Sequence, residues 1–239
     1  YKQSLKLNSY DANIYYQIGL IYEQLLNIEE AIKNYNQAIN MDDNNNDLIY
    51  RLGMILYQDG QYKKSLEYLR RHLLYQPKDI QVIKILSNIL YSLNRLPEAI
   101  DNFKRLIELD QNNMSNYHKI ALAYWDLGNY NKAQFYYNTI LEYEEFQTGE
   151  VYYYLGFIAN QNKNYDLALD YFFYARECGY TNLNLYNQIS ISLLQEENYK
   201  DLIPLLHEGL YFHPDNYDLI YNLAFSYFHI DLYEDSITL

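Results

Sequence analysis

The sequence is poor in the residues that small domains use to cross-link or to turn. One cysteine, Cys178, stands among 239 residues. That excludes an internal disulfide framework and a zinc site built on paired cysteines. Eight glycines and four prolines are too few for a turn-rich all-β chain or a glycine-rich linker. No apolar run reaches the roughly 18 residues that a membrane helix needs. Basic residues are also short, with 18 Lys and Arg against 31 Asp and Glu and a formal net charge of −13. A nucleic-acid binder shows the reverse, a basic stripe. The nucleophile elbow GxSxG, the phosphate-binding P-loop and the dinucleotide fingerprint GxGxxG are all missing, and no catalytic residue or cofactor is expected. His207 and His213 flank Glu208, but this is not HExxH and does not bring two imidazoles to one helix face for a metal. Both histidines read as solvent-facing or packing residues. Cys178 reads as a small packing residue near the end of a helix.

Hydrophobic residues make up 49% of the chain and charged residues 21%, enough apolar surface for a folded core. Tyrosine is in excess, with 32 Tyr against 9 Phe and 1 Trp. The acid is uneven. Residues 1–45 carry 3 basic and 6 acidic groups, residues 46–113 carry 10 and 8, and residues 114–239 carry 5 and 17. The C-terminal half therefore either serves solubility or steers a basic partner. The chain begins neither with Met nor with a signal-peptide pattern, and it reads as an excised piece of a longer protein. A single cysteine with many asparagines fits a reducing interior. Asn113-Met114-Ser115 matches a glycosylation sequon, a match expected by chance.

The dominant feature is an internal repeat. Tyr15-Tyr16-Gln17-Ile18-Gly19-Leu20-Ile21-Tyr22 returns as Tyr152-Tyr153-Tyr154-Leu155-Gly156-Phe157-Ile158-Ala159, and Ile28-Glu29-Glu30-Ala31-Ile32 as Leu96-Pro97-Glu98-Ala99-Ile100. The period of 34 residues places repeats at 12–45, 46–79, 80–113, 114–147, 149–182 and 183–216, with a truncated one at 217–239. Residues 1–11 read as the tail of a preceding repeat, and one extra residue falls near Thr148.

Each repeat holds two apolar stripes at helical spacing, such as Ile14, Ile18, Ile21 and Leu25, then Ala31, Tyr35, Ala38 and Ile39. A short polar break divides them, as at Leu26-Asn27, Asp59-Gly60-Gln61, Leu127-Gly128-Asn129 and Asn162-Lys163-Asn164, which leaves room only for a turn between antiparallel helices. Small residues at repeat positions 8 and 20 let the two backbones approach. Pro77 and Pro214 end second helices before them, while Pro97 fits a first turn where a missing N–H is harmless. Neither helix buries its stripe alone, so the repeats must stack into one array. Two places depart from the pattern. Leu202 occupies a small position with Gly209 further on, and Pro204 falls inside the second helix of the sixth repeat, which predicts a distorted start or a kink. The junction 142–148, with its extra residue, predicts a changed packing angle.

In period and signature this sequence resembles the tetratricopeptide repeat family. The first repeat carries Tyr15, Ile18, Gly19, Tyr22, Ala31, Tyr35 and Ala38 and departs only at Asp43. The second carries Leu52, Gly53 and Pro77, and the third Ala99 and Phe103. The fourth carries Tyr117, Ala121, Tyr124, Ala133 and Tyr137, and the fifth Tyr152, Leu155, Gly156, Ala168, Phe172 and Ala175. The resemblance covers essentially the whole chain. It implies an all-α, right-handed α-solenoid of stacked antiparallel helix pairs.

It also implies a site. In the family, side chains at positions 2, 5, 9, 12 and 13 of the first helix face an inner groove that grips a peptide. Positions 5, 9 and 12 here give Tyr16, Leu20 and Glu23; Tyr50, Met54 and Tyr57; Lys84, Asn88 and Tyr91; and His118, Leu122 and Trp125. They continue as Tyr153, Phe157 and Asn160, then Asn187, Ile191 and Leu194, then Tyr221, Phe225 and Phe228. Such a face is rich in the aromatic residues that suit interface hot spots. A tyrosine-rich chain also places tyrosine there by composition alone, and Tyr at positions 4, 11, 17 and 24 reads as core. One family variant clamps a C-terminal carboxylate. Lys84 and Asn88 match its first pair, but Lys119 stands where Asn is expected, and Glu150 and Tyr154 stand where two basic residues are needed, so that clamp is rejected. Glu144 and Glu145 read as solvated loop charge. Arg70 and Arg71, on an outer helix, read equally as surface charge or a small basic patch.

The resemblance implies a non-catalytic scaffold for a protein or peptide partner, with no nucleic acid and no membrane insertion. The alternatives are a structural spacer, a solenoid that self-associates end to end, or the recognition domain of a larger enzyme. The end-to-end reading rests on a chain that starts within a second helix and stops at Ser236-Ile237-Thr238-Leu239, where another begins.

Overall fold

The structure is a computed structural model that describes residues 8–232. Residues 1–7 of the expected leading tail and the expected helix start at 236–239 lie outside the described residues. Among those described are thirteen α-helices, one 3-10 turn and no strand. They fall into two compact units that divide between Leu127 and Gly128.

The first unit alternates first and second helices of successive repeats: α1 (Asn8–Gln24), α2 (Ile28–Met41), α3 (Asn46–Gln58), α4 (Tyr62–Tyr75), α5 (Ile80–Ser92), α6 (Leu96–Leu109) and α7 (Met114–Asp126). Helix α1 starts four residues before the repeat boundary at residue 12. The second unit holds α8 (Tyr130–Leu141), α9 (Gly149–Gln161), α10 (Tyr165–Glu177), α11 (Leu183–Gln195), α12 (Tyr199–Phe212) and α13 (Tyr217–His229). Within each unit, neighbours in sequence are neighbours in space, as stacking of helix pairs requires.

The local reasons are regular. Every turn after a first helix carries a left-handed residue at repeat position 15: Leu26, Gly60, Asn94, Gly128, Lys163, Glu197 and Asp231. After the first six of these, the following residue is the N-cap of the next helix. Asparagine dominates the caps because its side-chain oxygen accepts a backbone N–H that the helix leaves unpaired. Asn27 accepts from Glu30, Asn45 from Leu48, Asn129 from Lys132, Asn198 from Asp201 and Asn216 from Leu219. Asp79 does the same for Val82. Part of the asparagine content is thus spent on helix starts.

The core follows the repeat positions. Tyr35, Phe103, Tyr137 and Phe172, all at position 24, are buried, and each such side chain contributes about 1.5–3 kcal/mol by leaving water. Two of these rings lie over the small residue at position 8 of their own hairpin. A Cβ placed on Gly19 would come 2.5 Å from the Tyr35 ring, and one on Gly156 would come 2.6 Å from Phe172. In the second repeat Ser65, at position 20, donates its hydroxyl to the Gly53 carbonyl at 2.7 Å. Small residues at 8 and 20 therefore do permit close approach.

Several expectations are corrected. Ile21 and Leu25 are 55% and 69% exposed, because α2 covers one side of α1 and no described helix covers the other. Tyr62 and Tyr165, at position 17, are exposed rather than core. Each is the first residue of its helix, at the turn end of a hairpin. Cys178 is exposed and caps α10 at its C-terminus, so it does not pack. Pro204 does not break α12, which runs uninterrupted from Tyr199 to Phe212. The lost N–H falls near the start, and buried Leu202, Leu205 and Leu206 hold the helix in place. Leu202 is fully buried, and Gly209 leaves room for Tyr186 and Leu219. At the long junction the chain forms a 3-10 turn, Glu144–Phe146, and Thr148 becomes the N-cap of α9.

Candidate functional site

In the first unit the expected face is carried by α1, α3, α5 and α7. Tyr16, Leu20, Tyr50, Met54, Tyr57, Asn88, Tyr91, His118, Leu122 and Trp125 are half-buried, and Lys84 is exposed. Residues one or two positions away, such as Ile49, Leu52, Ile55 and Leu56 on α3, are fully buried. The strip is therefore the margin of each first helix that the core leaves partly open.

This strip is polar as well as aromatic. The Tyr16 hydroxyl donates to Asp47 and accepts from Arg51 Nε at 2.9 Å. Arg51 also lies 3.2 Å from Asp47 Oδ2 and 3.7 Å from Glu23, and Glu23 accepts from the hydroxyl of buried Tyr35. Burial works against the Arg51 charge, but the Asp47 hydrogen bond and the carboxylates of Asp47 and Glu23 outweigh it and hold the guanidinium above its ordinary pKa. Further along, Lys119 Nζ donates to Asn88 Oδ1 at 2.8 Å. Burial, then the nearby Lys84 charge, pull the Lys119 pKa down. Tyr91 donates to Asp126. The rings of Tyr57 and Tyr62 lie 5.8 Å apart.

The second unit places Tyr153, Phe157 and Asn160 on α9, all half-buried. Tyr153 packs its ring 5.3 Å from Tyr180 and 6.1 Å from Phe172, and burial raises its phenol pKa. Asn160 Nδ2 donates to Gln188 Oε1 on α11 at 3.1 Å. Asn187 and Leu194 on α11 are half-buried, while Ile191 and, on α13, Tyr221, Phe225 and Phe228 are exposed. Tyr221 and Phe225 stack at 6.2 Å.

Reading positions 5, 9 and 12 alone passed over the charged partners. Asp47 is at position 2, and Arg51 and Lys119 are at position 6. They lie one turn or one residue from the chosen positions, so extending the same helical count would have found them. Arg70 and Arg71 form no free basic patch. Arg70 pairs with Glu98, and Arg71 donates to the Asp43 carbonyl at 2.6 Å, each reaching a different repeat. His207 is exposed and bonds Tyr227 Oη at 2.7 Å, and His213 Nε2 lies 2.7 Å from the Thr181 carbonyl. Among the described residues no group of three or more His, Cys, Asp or Glu is arranged to hold a metal ion, and no helix is long and apolar enough to cross a membrane.

Comparison with known proteins agrees with the repeat fold. A family model described as "TPR repeat" matches residues 88–128, and one described as "Tetratricopeptide repeat" matches residues 115–146. A third, "Anaphase-promoting complex, cyclosome, subunit 3", matches residues 24–106. The TPR repeat-containing protein MJ1428 of Methanocaldococcus jannaschii is 27% identical over 112 residues, which are 47% of this chain and 20% of that protein. BBSome complex member BBS4 of Bos taurus is 27% identical over 101 residues, 42% of this chain and 19% of that protein. The chain thus spans about a fifth of the length of these two relatives. The Photosystem I assembly protein Ycf3 of Acaryochloris marina is 27% identical over 124 residues, 45% of this chain and 75% of that protein. Among solved structures, a tetratricopeptide repeat protein from Parabacteroides merdae superposes with a TM-score of 0.61 at 15% identity, over 95% of this chain and 89% of that one. A MamA protein superposes with a TM-score of 0.59 at 23% identity, over 70% and 91%. At these identities the likeness to the solved structures is one of fold.

Proposed function

Because this chain is a tetratricopeptide-repeat protein, we propose that it is a non-catalytic scaffold that holds a peptide or protein segment on the face formed by its first helices. Tetratricopeptide repeats are, as a family, protein–protein interaction scaffolds. The observation that carries the finer reading is the half-open strip of the first unit, where Tyr16, Tyr50, Tyr57, Tyr91 and Trp125 stand beside Leu20, Met54 and Leu122. Tyrosine and tryptophan offer large contact area and a polar tip at low cost in side-chain entropy. His118, Lys84 and Asn88 add hydrogen-bonding groups to the same strip, and Tyr153, Phe157 and Asn160 supply the matching positions in the second unit. The second unit carries 4 basic and 16 acidic residues, which favours a partner segment that is basic where it meets that unit.

The test is affinity capture with quantitative mass spectrometry, using the chain and its Tyr57→Ala, Trp125→Ala double variant, after circular dichroism shows equal helix content. Proteins depleted at least about tenfold by the variant support the first-helix face. Equal capture by both would move the site elsewhere and sink this reading.

A second reading is association end to end. It is favoured by exposed apolar side chains at both extremes of the described chain: Ile21, Leu25 and Leu26 on and after α1, and Tyr217, Tyr221 and Phe228 on α13. Light scattering that gives a monomer mass at every concentration would remove its support.

A further inference from the structure

A pocket of about 250 Å³ opens in the first unit, lined by Asn46, Asp47, Tyr50, His72, Gln76 and Asp79. It lies where the start of α3, the end of α4 and the residue before α5 converge. That volume is below the range of small-molecule pockets and suits one side chain.

Hydrogen bonds tie the walls together. His72 is 3% exposed. Its Nδ1 lies 2.9 Å from Asn46 Oδ1 and its Nε2 lies 3.1 Å from Asp79 Oδ2. Asp79 Oδ1 caps α5 through the Val82 N–H. The Tyr50 ring lies 5.0 Å from the His72 ring. On the other side, Asp47 is held by Arg51 and Tyr16.

The charge is negative. Asp47 and Asp79 line the pocket; Arg51 lies against Asp47 with Glu23 behind it, and His72 lies against Asp79. Burial, then the Asp79 charge, raise the Tyr50 phenol pKa, and Asp47 and Glu23 push the same way against Arg51. Each carboxylate retains acceptor capacity beyond its present bonds, since an ionised carboxylate offers about four lone-pair sites.

We propose that this pocket receives an arginine side chain of the bound segment, with the guanidinium between Asp47 and Asp79 and the methylene stem against Tyr50. Arginine fits better than lysine because the acceptors (two carboxylates and the amide oxygens at the rim) surround the space, and a planar group with five N–H donors meets several at once. The inference rests on the first-helix face as the binding surface, because Tyr50 belongs to both, and it names the chemistry of one anchor on that face.

The test uses two probes, acetyl-Gly-Arg-Gly-amide and its citrulline counterpart, which has nearly the same shape without the charge. Amide ¹H–¹⁵N shifts of the isotope-labelled chain are followed during titration. The expected result is saturable shifts at the Asn46 and Gln76 side-chain amides with the arginine peptide, and binding at least about tenfold weaker with citrulline. Asp47→Asn, at an exposed position, should weaken the arginine peptide by a similar factor. Asp79→Asn keeps a cap-accepting oxygen and guards against a folding artefact; it should act in the same direction. Equal binding of both peptides, shifts confined to other residues, or no effect of Asp47→Asn would overturn the proposal. Those results would leave capture through Tyr57 and Trp125 unaffected, so the two readings fail separately.

Discussion

Tyr186 donates its hydroxyl to Glu208 Oε1 across 2.9 Å, and the other oxygen of that carboxylate accepts Arg176 Nε at 2.9 Å. The three residues lie on α11, α12 and α10, so one carboxylate ties two repeats together. The Arg176 hydrogen bond, against the opposing effect of burial and with help from Tyr186, holds the Glu208 pKa below its ordinary value. A depressed carboxylate pKa stabilises the fold above the unfolded value near 4.5, and that stability is lost as pH falls through the folded value. Both ionic side chains are about one-third exposed, so solvent screening limits the effect to about 1 kcal/mol or less. Glu208→Gln should therefore lower stability to urea at pH 7, and the gap to the parent should narrow as pH falls below 4.5 and close below the folded value. A gap that persists unchanged at pH 3.5 would show that the charge is not the cause.

The left-handed residues after the first helices make a second prediction. Leu26 has φ 56° and Glu197 has φ 54°, where a side chain strains the backbone by about 1 kcal/mol. Leu26→Gly and Glu197→Gly should each raise stability by about 0.5 kcal/mol, the relief of strain being partly offset by the greater freedom of glycine in the unfolded chain. Gly60→Ala should lower it by about 1 kcal/mol even though its Cβ would meet nothing within 4 Å. Thermal melts of the three single variants decide this, and a stabilised Gly60→Ala would refute the backbone explanation.

The third prediction concerns close approach. Gly19→Ala and Gly156→Ala place a methyl against the Tyr35 and Phe172 rings. Neither ring is exposed, so each substitution should cost about 1–3 kcal/mol through overpacking. Pairing Gly156→Ala with Phe172→Leu should recover part of the loss in a double-mutant cycle. Additive losses would mean that the ring is not what the methyl meets.

How much of this was legible beforehand depends on distance along the chain. Core aromatics at position 24, small residues at position 8, helix ends before Pro77 and Pro214, and Pro97 at a helix start are all events within one repeat. Spacing and backbone chemistry specify them, and the described helices agree. The first-helix positions of Tyr57, Trp125 and Tyr153 followed from the same count. The left-handed turn residues were missed where they are not glycine, because Leu26, Lys163 and Glu197 carry no local sign of positive φ.

Other features needed the stack. Arg176 and Glu208 are 32 residues apart, Arg51 and Glu23 are 28, and His72 reaches Asn46 and Asp79 from another helix. A charged residue in a helix looks the same in sequence whether it points to water or to the next repeat, so only the packing register reveals its partner. Exposure was decided in the same way. Ile21 and Leu25 belong to an apolar stripe like any other, but α1 has a described neighbour on one side only. By itself the sequence determined the helix pairs, their period and their apolar faces, because these arise from interactions a few residues apart. Which charges meet, which tyrosines are buried and where a pocket opens was decided by tertiary structure, because each depends on atoms brought together from different repeats.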